Sequence, residues 1–297
     1  MWKIGRLEHR PTLHDVIDKV IIIAYREDVS RLVSTLKLEG FKVEVLRPDY
    51  THEEMTYSSN SRTFISHSKA WQKAIESPGY TLICEADFVP CRGIGQFETF
   101  WPLENTYAWG YLYQGSPRVL AILGADRFLR AHTSPLVCYV VNRTVAALMI
   151  KFFEYEQTEY DLRTYFTFDS HLQWYVMGRG AEAYMPLRHY GEHGGMANPE
   201  HGRLGSLPNR GQHRADNLMS SLHFLPAYAK GSYLAFLRVR VAARLLGLAR
   251  LMSGRWIIRT NVYHCSTIDV FNMYFIGLRR LIWIPVRRSI LRGAAKN

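Results

Sequence analysis

The sequence holds only four cysteines, Cys84, Cys91, Cys138 and Cys265, and no two of them form a C-x-x-C pair or a zinc-ligand spacing. That scarcity and spacing indicate neither a disulfide framework nor a zinc site, and they agree with a reducing compartment. Long apolar runs are missing as well. The nearest, residues 137–141 and 145–150, are separated by Asn142 and Arg143, well short of the roughly 18 apolar residues a spanning helix needs. Residues 1–16 carry Lys3, Arg6, Glu8, Arg10 and Asp15, which leaves no apolar core for a secretory signal. The expectation is a protein that works in the cytoplasm and meets a membrane, if at all, peripherally on its inner face. No internal repeat is found.

Acidic residues are scarce toward the C-terminus. From Lys230 onward, 13 lysines and arginines face the single acid Asp269, a net +12, so residues 1–229 carry −1 of the total of +11. The basic pI of about 9.5 therefore belongs to the tail. What the chain has in quantity is apolar material, 47% of its 297 residues, with 21% charged. That suffices to bury one sizeable core and excludes disorder as the main state.

Residues 18–24, with Val20, Ile21, Ile22 and Ile23 in unbroken β-branched order, read as a buried strand. A helical pattern follows from Asp28 through Leu32, Leu36 and Leu38, and residues 41–46 read as a second strand. This strand, helix, strand opening predicts an α/β sheet. The pattern continues with a helix over 66–76 stopped by Pro78 and Gly79, and a strand over 80–84. Further strands are expected at 136–141 and 181–187, with helices at 144–155 and 169–177. Residues 188–214, rich in Gly and His, read as a long loop.

Ligands of open α/β sheets collect beyond the carboxyl ends of the strands, and there this chain places Glu85 and Asp87 around Ala86. Two carboxylates flanking one small residue could hold a hard divalent cation and leave sites for phosphate oxygens. The alternative is a solvated acidic turn. The stretch Ser66-His67-Ser68-Lys69-Ala70-Trp71-Gln72-Lys73-Ala74-Ile75-Glu76, then the strand 80–84, then Glu85-Ala86-Asp87, resembles the core of glycosyltransferase family 25, the lipopolysaccharide biosynthesis glycosyltransferases. The order and approximate spacing of the Ser-His helix and the acidic triplet match over residues 18–95, with a weaker echo to about residue 195. In two places the chain departs from the pattern: Ala86 stands where the family has a middle acid, and residues 62–65 lack the Gly-Cys pair that often precedes Ser-His.

The resemblance implies a glycosyltransferase A-type nucleotide-binding sheet flanked by helices, assigned to residues 1–229, while the charge distribution sets residues 230–297 apart as a basic helical tail. It implies transfer of a sugar from a nucleotide-sugar donor to a glycan or lipid-linked acceptor, assisted by Mn or Mg. Asp87 is the first expected metal ligand, with Glu85 on the ion or the donor ribose. A downstream histidine would complete the set: His193 is best placed, His213 second, with His189 and His201 also in the stretch. Tyr25, Arg26, Ser66 and His67 are candidate donor-site residues, although His67 could instead satisfy the core behind Trp71, itself expected to pack. Asp169 is the candidate general base toward the acceptor hydroxyl, or a helix N-cap. A catalytically degenerate, membrane-associated scaffold is the alternative that Ala86 motivates.

In the tail, Leu234, Leu237, Val241, Leu245, Leu248 and Met252 recur at helical spacing among Arg238, Arg240, Arg244 and Arg250, and residues 271–284 show a similar pattern. Such cationic amphipathic helices suit an anionic membrane surface, with Phe236, Trp256 and Trp283 at the interface, or packing on the body. No nucleic-acid motif is present, so no nucleic-acid partner is expected.

Overall fold

A computed structural model describes residues 10–113, 118–123, 128–133, 135–186, 189–194, 225–226, 229, 231–252, 271 and 278. A four-residue helix, α1 (Leu13–Val16), opens it, closed by a reciprocal capping box between Thr12 and Asp15. The β-branched run then forms β1 (Ile17–Ile23), followed by α2 (Ser30–Leu38) and β2 (Val43–Leu46). Leu32 and Leu36 bury against the sheet, whereas Leu38 is 83% exposed. Six residues beyond Leu32, at about 100° per residue, it has turned off the apolar face.

The next helix, α3 (Ser59–Ile75), begins well before residue 66 because Ser58 caps it, its side chain accepting from the Ser61 N–H. Then come β3 (Tyr80–Glu85), β4 (Phe88–Pro90), β5 (Ala108–Tyr111), β6 (Arg118–Leu123), β7 (Phe128–His132) and β8 (Cys138–Val141). The chain continues through α4 (Arg143–Glu159), α5 (Phe168–Met177), β9 (Glu182–Pro186), β10 (Gly191–His193) and α6 (Tyr233–Met252).

Eight strands form one mixed sheet in the order β2-β1-β3-β8-β5-β9-β7-β6. β1 runs parallel to both β2 and β3, and β5 parallel to β9, while β8 is antiparallel to β3 and β5. Both faces are covered, which explains the unbroken apolar runs. Alternation along β1 sends Val20 and Ile22 to the face shared with Leu32 and Leu36 of α2. Ile21 and Ile23 go to the other, with Phe64 and Trp71 of α3 and Met149 and Phe152 of α4. The same parity puts Ile83 and Tyr139 on the α3 side. Phe64 anchors that layer, its ring 4.8 to 5.7 Å from those of Phe152, Phe153, Phe166 and Phe168, contacts contributing about 0.5–1.5 kcal/mol each beyond area burial.

Two further features depart from the sequence reading. The stretch expected to be loop from residue 188 contains β10, which pairs antiparallel with β4 in a separate two-stranded ribbon, His193 opposite Phe88 and Gly191 opposite Pro90. A Cβ at Gly191 would overlap the Phe88 ring, so only glycine lets the strands approach this closely. In α6, Phe236 and Arg240 are buried, so Phe236 is not available to a membrane interface. Arg240 forms a buried ion pair with Glu192 of β10. Leu234, Val241, Leu245, Leu248 and Met252 are instead exposed. Trp256, Trp283 and most of 271–284 lie outside the described residues.

Candidate metal and donor site

β3 ends at Glu85, and the chain turns through Ala86 and Asp87 into β4. The turn is held on both sides: the Glu85 N–H donates to the Val137 carbonyl at 2.9 Å, and the Gly194 N–H donates to the Asp87 carbonyl at 3.0 Å. Because β10 lies antiparallel to β4, its last residue, His193, arrives beside Asp87. One ligand atom from each of Glu85, Asp87 and His193 lies within 4.8 Å of the others. Nε2 of His193 is 2.6 Å from Oδ2 of Asp87, with both side chains almost wholly buried. Burial by itself would depress the His193 imidazolium, but the carboxylates of Asp87, Glu85 and Glu192 outweigh it and raise the pKa above the ordinary histidine value.

Two carboxylate oxygens and an imidazole nitrogen, converging in a largely buried turn, could hold a divalent metal ion. An imidazole among the ligands suits a transition ion better than Mg, which takes oxygen ligands. Three of the expected ligands, Glu85, Asp87 and His193, are thus brought together. His193 does not hang from a loop but is fixed on a strand. His213 and His201 lie outside the described residues, and His189 is buried with its ring against Tyr113.

No family model matches this sequence, and no curated protein does. Among solved structures it is similar to the crystal structure of a glycosyltransferase involved in the glycosylation of the major capsid of PBCV-1. The TM-score is 0.38 at 11% identity, over 54% of this chain and 76% of that one.

Tyr25, Arg26 and Ser66 fall in one patch at the carboxyl ends of β1 and β2. The Arg26 guanidinium lies 4.7 Å over the Tyr25 ring, which is 5.2 Å from the ring of Tyr50. The Tyr50 hydroxyl is 2.6 Å from the Ser66 hydroxyl, and the Lys69 ammonium sits 5.6 Å over the Tyr50 ring. Arg47, directly after β2, donates to the Tyr25 carbonyl at 3.1 Å. Tyr50, Arg47 and Lys69 were missed in the sequence. The available signal was that Arg47 follows its parallel strand much as Arg26 follows β1.

His67 and Trp71, one turn apart on α3, are fully buried, and Trp71 packs as expected. Nδ1 of His67 is 2.8 Å from the Tyr139 hydroxyl, and Nε2 is 3.4 Å from Oε1 of Glu85. Asp169 is not the N-cap of α5. Thr167 occupies that position, without a side-chain cap bond, because the helix already starts at Phe168. Asp169 lies in the first turn, Oδ1 accepting from the Ser170 N–H at 2.8 Å. Burial raises its carboxyl pKa and the charge of Glu85 adds to this, against the Ser170 N–H and the His67 imidazole. Asp169 therefore shares an electrostatic environment with Glu85 and His67, as a carboxylate tuned toward proton uptake.

Proposed function

We propose that this chain is a metal-assisted glycosyltransferase of the A-type architecture. It would move a sugar from a nucleotide-sugar donor to a glycan or lipid-linked acceptor in lipopolysaccharide or other cell-surface polysaccharide synthesis. The observation that carries the reading is the meeting of Glu85, Asp87 and His193 at the carboxyl end of β3, in a mixed eight-stranded sheet. The likeness of residues 66–87 to family 25 supports the acceptor class. A divalent ion held by these three residues would offset the charge that develops on the departing nucleoside diphosphate.

The rest of the chemistry falls to the chain's own groups. Tyr25 and Tyr50 offer aromatic faces to a nucleobase, and Arg26, Arg47 and Lys69 offer cations to phosphates beside them. Asp169 would accept the proton of the acceptor hydroxyl in this reading, supported by burial that raises its pKa and so improves it as a base. Burial around Asp87 and His193 excludes water that would otherwise compete with the acceptor. Residues 1–229 form the catalytic unit in this reading and residues 230–297 a basic appendage.

The test is turnover of a panel of nucleotide sugars with Mn, comparing the wild type with Asp87→Ala. Mn-dependent turnover lost in the variant supports the proposal. No Mn-dependent turnover with any donor favours the degenerate scaffold that Ala86 motivates.

A second reading concerns location, and the exposed apolar stripe of α6 favours it. Among the described residues no helix is long and apolar enough to cross a membrane. Leu234, Val241, Leu245, Leu248 and Met252 nevertheless face outward on a segment of net +12. We propose peripheral attachment to the inner face of the cytoplasmic membrane, where each engaged cation contributes on the order of 1 kcal/mol. Cosedimentation with phosphatidylglycerol vesicles tests it: Leu245→Glu with Met252→Glu should release the protein, and unchanged binding would refute the stripe as the contact.

A further inference from the structure

The pairing of His67 with Tyr139 does more than fill the core. Trp71 Nε1, which can only donate, gives its hydrogen to the Tyr139 oxygen at 2.7 Å. The phenol's own hydrogen must then find an acceptor. The acceptor available among the described residues is Nδ1 of His67, 2.8 Å away. Burial pushes the Tyr139 phenol well above its ordinary range, so it keeps that hydrogen. An Nδ1 that accepts leaves the imidazole hydrogen on Nε2, and Nε2 faces Oε1 of Glu85 at 3.4 Å. All three rings are fully buried, so water cannot take over any of these bonds.

The elements explain why these residues meet. Spacing of four on α3 puts His67 and Trp71 on one face, and the parity of β8 points Tyr139 toward that face. The parity of β3 sends Glu85 the same way as Ile83. Neither the helix nor the strands alone would bring a carboxylate and an imidazole together.

We infer that His67 is a positioning residue for Glu85, held by Trp71 and Tyr139 in the tautomer that presents Nε2–H to the carboxylate and fixes its orientation at the cation site. This rests on reading Glu85, Asp87 and His193 as that site, and it assigns His67 a task on the carboxylate rather than on the donor. A carboxylate left to rotate would have to be ordered when the ion binds, and hydrogen-bond partners that orient a metal ligand are worth about 10–100-fold in metal affinity.

The experiment uses the full-length, metal-free protein. Histidine 15N spectra, with the His67 signal identified by its loss in His67→Gln, should show a pyridine-like Nδ1 and a pyrrole-like Nε2. Tyr139→Phe should mix the two tautomers. Calorimetric titration with Mn alone should find His67→Gln close to wild type, because its side-chain amide can replace the Nε2–H donor. His67→Leu and Tyr139→Phe should bind roughly 10–100-fold more weakly, with circular dichroism confirming the fold. If His67→Leu does not fold, Tyr139→Phe carries the comparison.

A wild-type imidazole protonated on Nδ1, folded variants that bind Mn as tightly as wild type, or a wild type without Mn affinity would each overturn the inference. Wild-type protein that binds Mn with these ratios yet turns over no nucleotide sugar would sink the glycosyltransferase reading and leave this inference standing.

Discussion

Replacing Arg240 with methionine tests how the basic segment is joined to the body. Arg240 is 1% exposed and its partner Glu192 2% exposed, and the pair bridges α6 to β10. Neither charge has water to fall back on. Removing the guanidinium leaves the Glu192 carboxylate buried without its cation, a change that costs about 3–5 kcal/mol. For a chain of 297 residues, with roughly 2 °C of Tm per kcal/mol, that amounts to a fall of roughly 6–10 °C. Replacing both partners, Arg240→Met with Glu192→Leu, removes the desolvation cost together with the attraction, and it should restore stability to within about 1 kcal/mol of wild type or exceed it. Urea unfolding followed by tryptophan fluorescence and far-UV circular dichroism measures all the variants, with Glu192→Leu alone closing the cycle. A single Arg240→Met that costs under about 1 kcal/mol, with no recovery in the double variant, would refute a buried pair and with it the docking of α6 on β10.

Three further outcomes follow from the site. In metal-free protein the His193 pKa is raised above its unfolded value. Its stabilisation is therefore complete below about pH 6.5 and is lost as pH rises through the folded value. Thermal melts should show this decline, and His193→Gln should abolish it. Asp169→Asn should cut turnover by about 10²–10⁴-fold with donor KM little changed. The wild-type rate should climb with pH along a limb above the ordinary carboxylate range, and a pH-independent residual rate in the variant is the signature to look for. Gly191→Ala should drive a methyl group into the Phe88 ring and the Val89 carbonyl, destabilising the protein by about 1–3 kcal/mol. A melt within a degree of wild type would show that the ribbon can spread.

Local patterns made some of these features readable from sequence, and long-range pairing hid others. Val20 to Ile23 announce β1 because both faces of the sheet are covered and nothing interrupts the run. Glu85 and Asp87 stood out because a strand end is where charges gather ligands. His193 was found by its nearness to a predicted strand, but the reason it matters is its pairing opposite Phe88, across a separation that no periodicity spans. The sequence does not reveal the start of α3 because Ser59 to Thr63 are all polar and carry no apolar repeat; what fixes the helix there is the Ser58 cap and the burial of Phe64. Tyr139 and Tyr50 carried no motif. Their roles come from hydroxyl groups that meet His67 and Ser66 only once β8 and the segment after β2 are in place. Arg240 looked like one cation among many, and charge counting cannot reveal which of them folds inward.

The separate ribbon of β4 and β10 gives the ion site an unusual relation to the whole chain. Asp87 and His193 lie far apart in sequence, and the pairing of β4 with β10 is what brings them together. An ion gripped by both would act as a reversible cross-link closing a long loop, bound by a completed molecule and not by a partly assembled one. Mn at about one hundred times its Kd would then add roughly 2.7 kcal/mol to global stability. Occupancy of the site would thus report whether β10 has paired with β4, making the cation a sensor of that closure as well as an aid to chemistry.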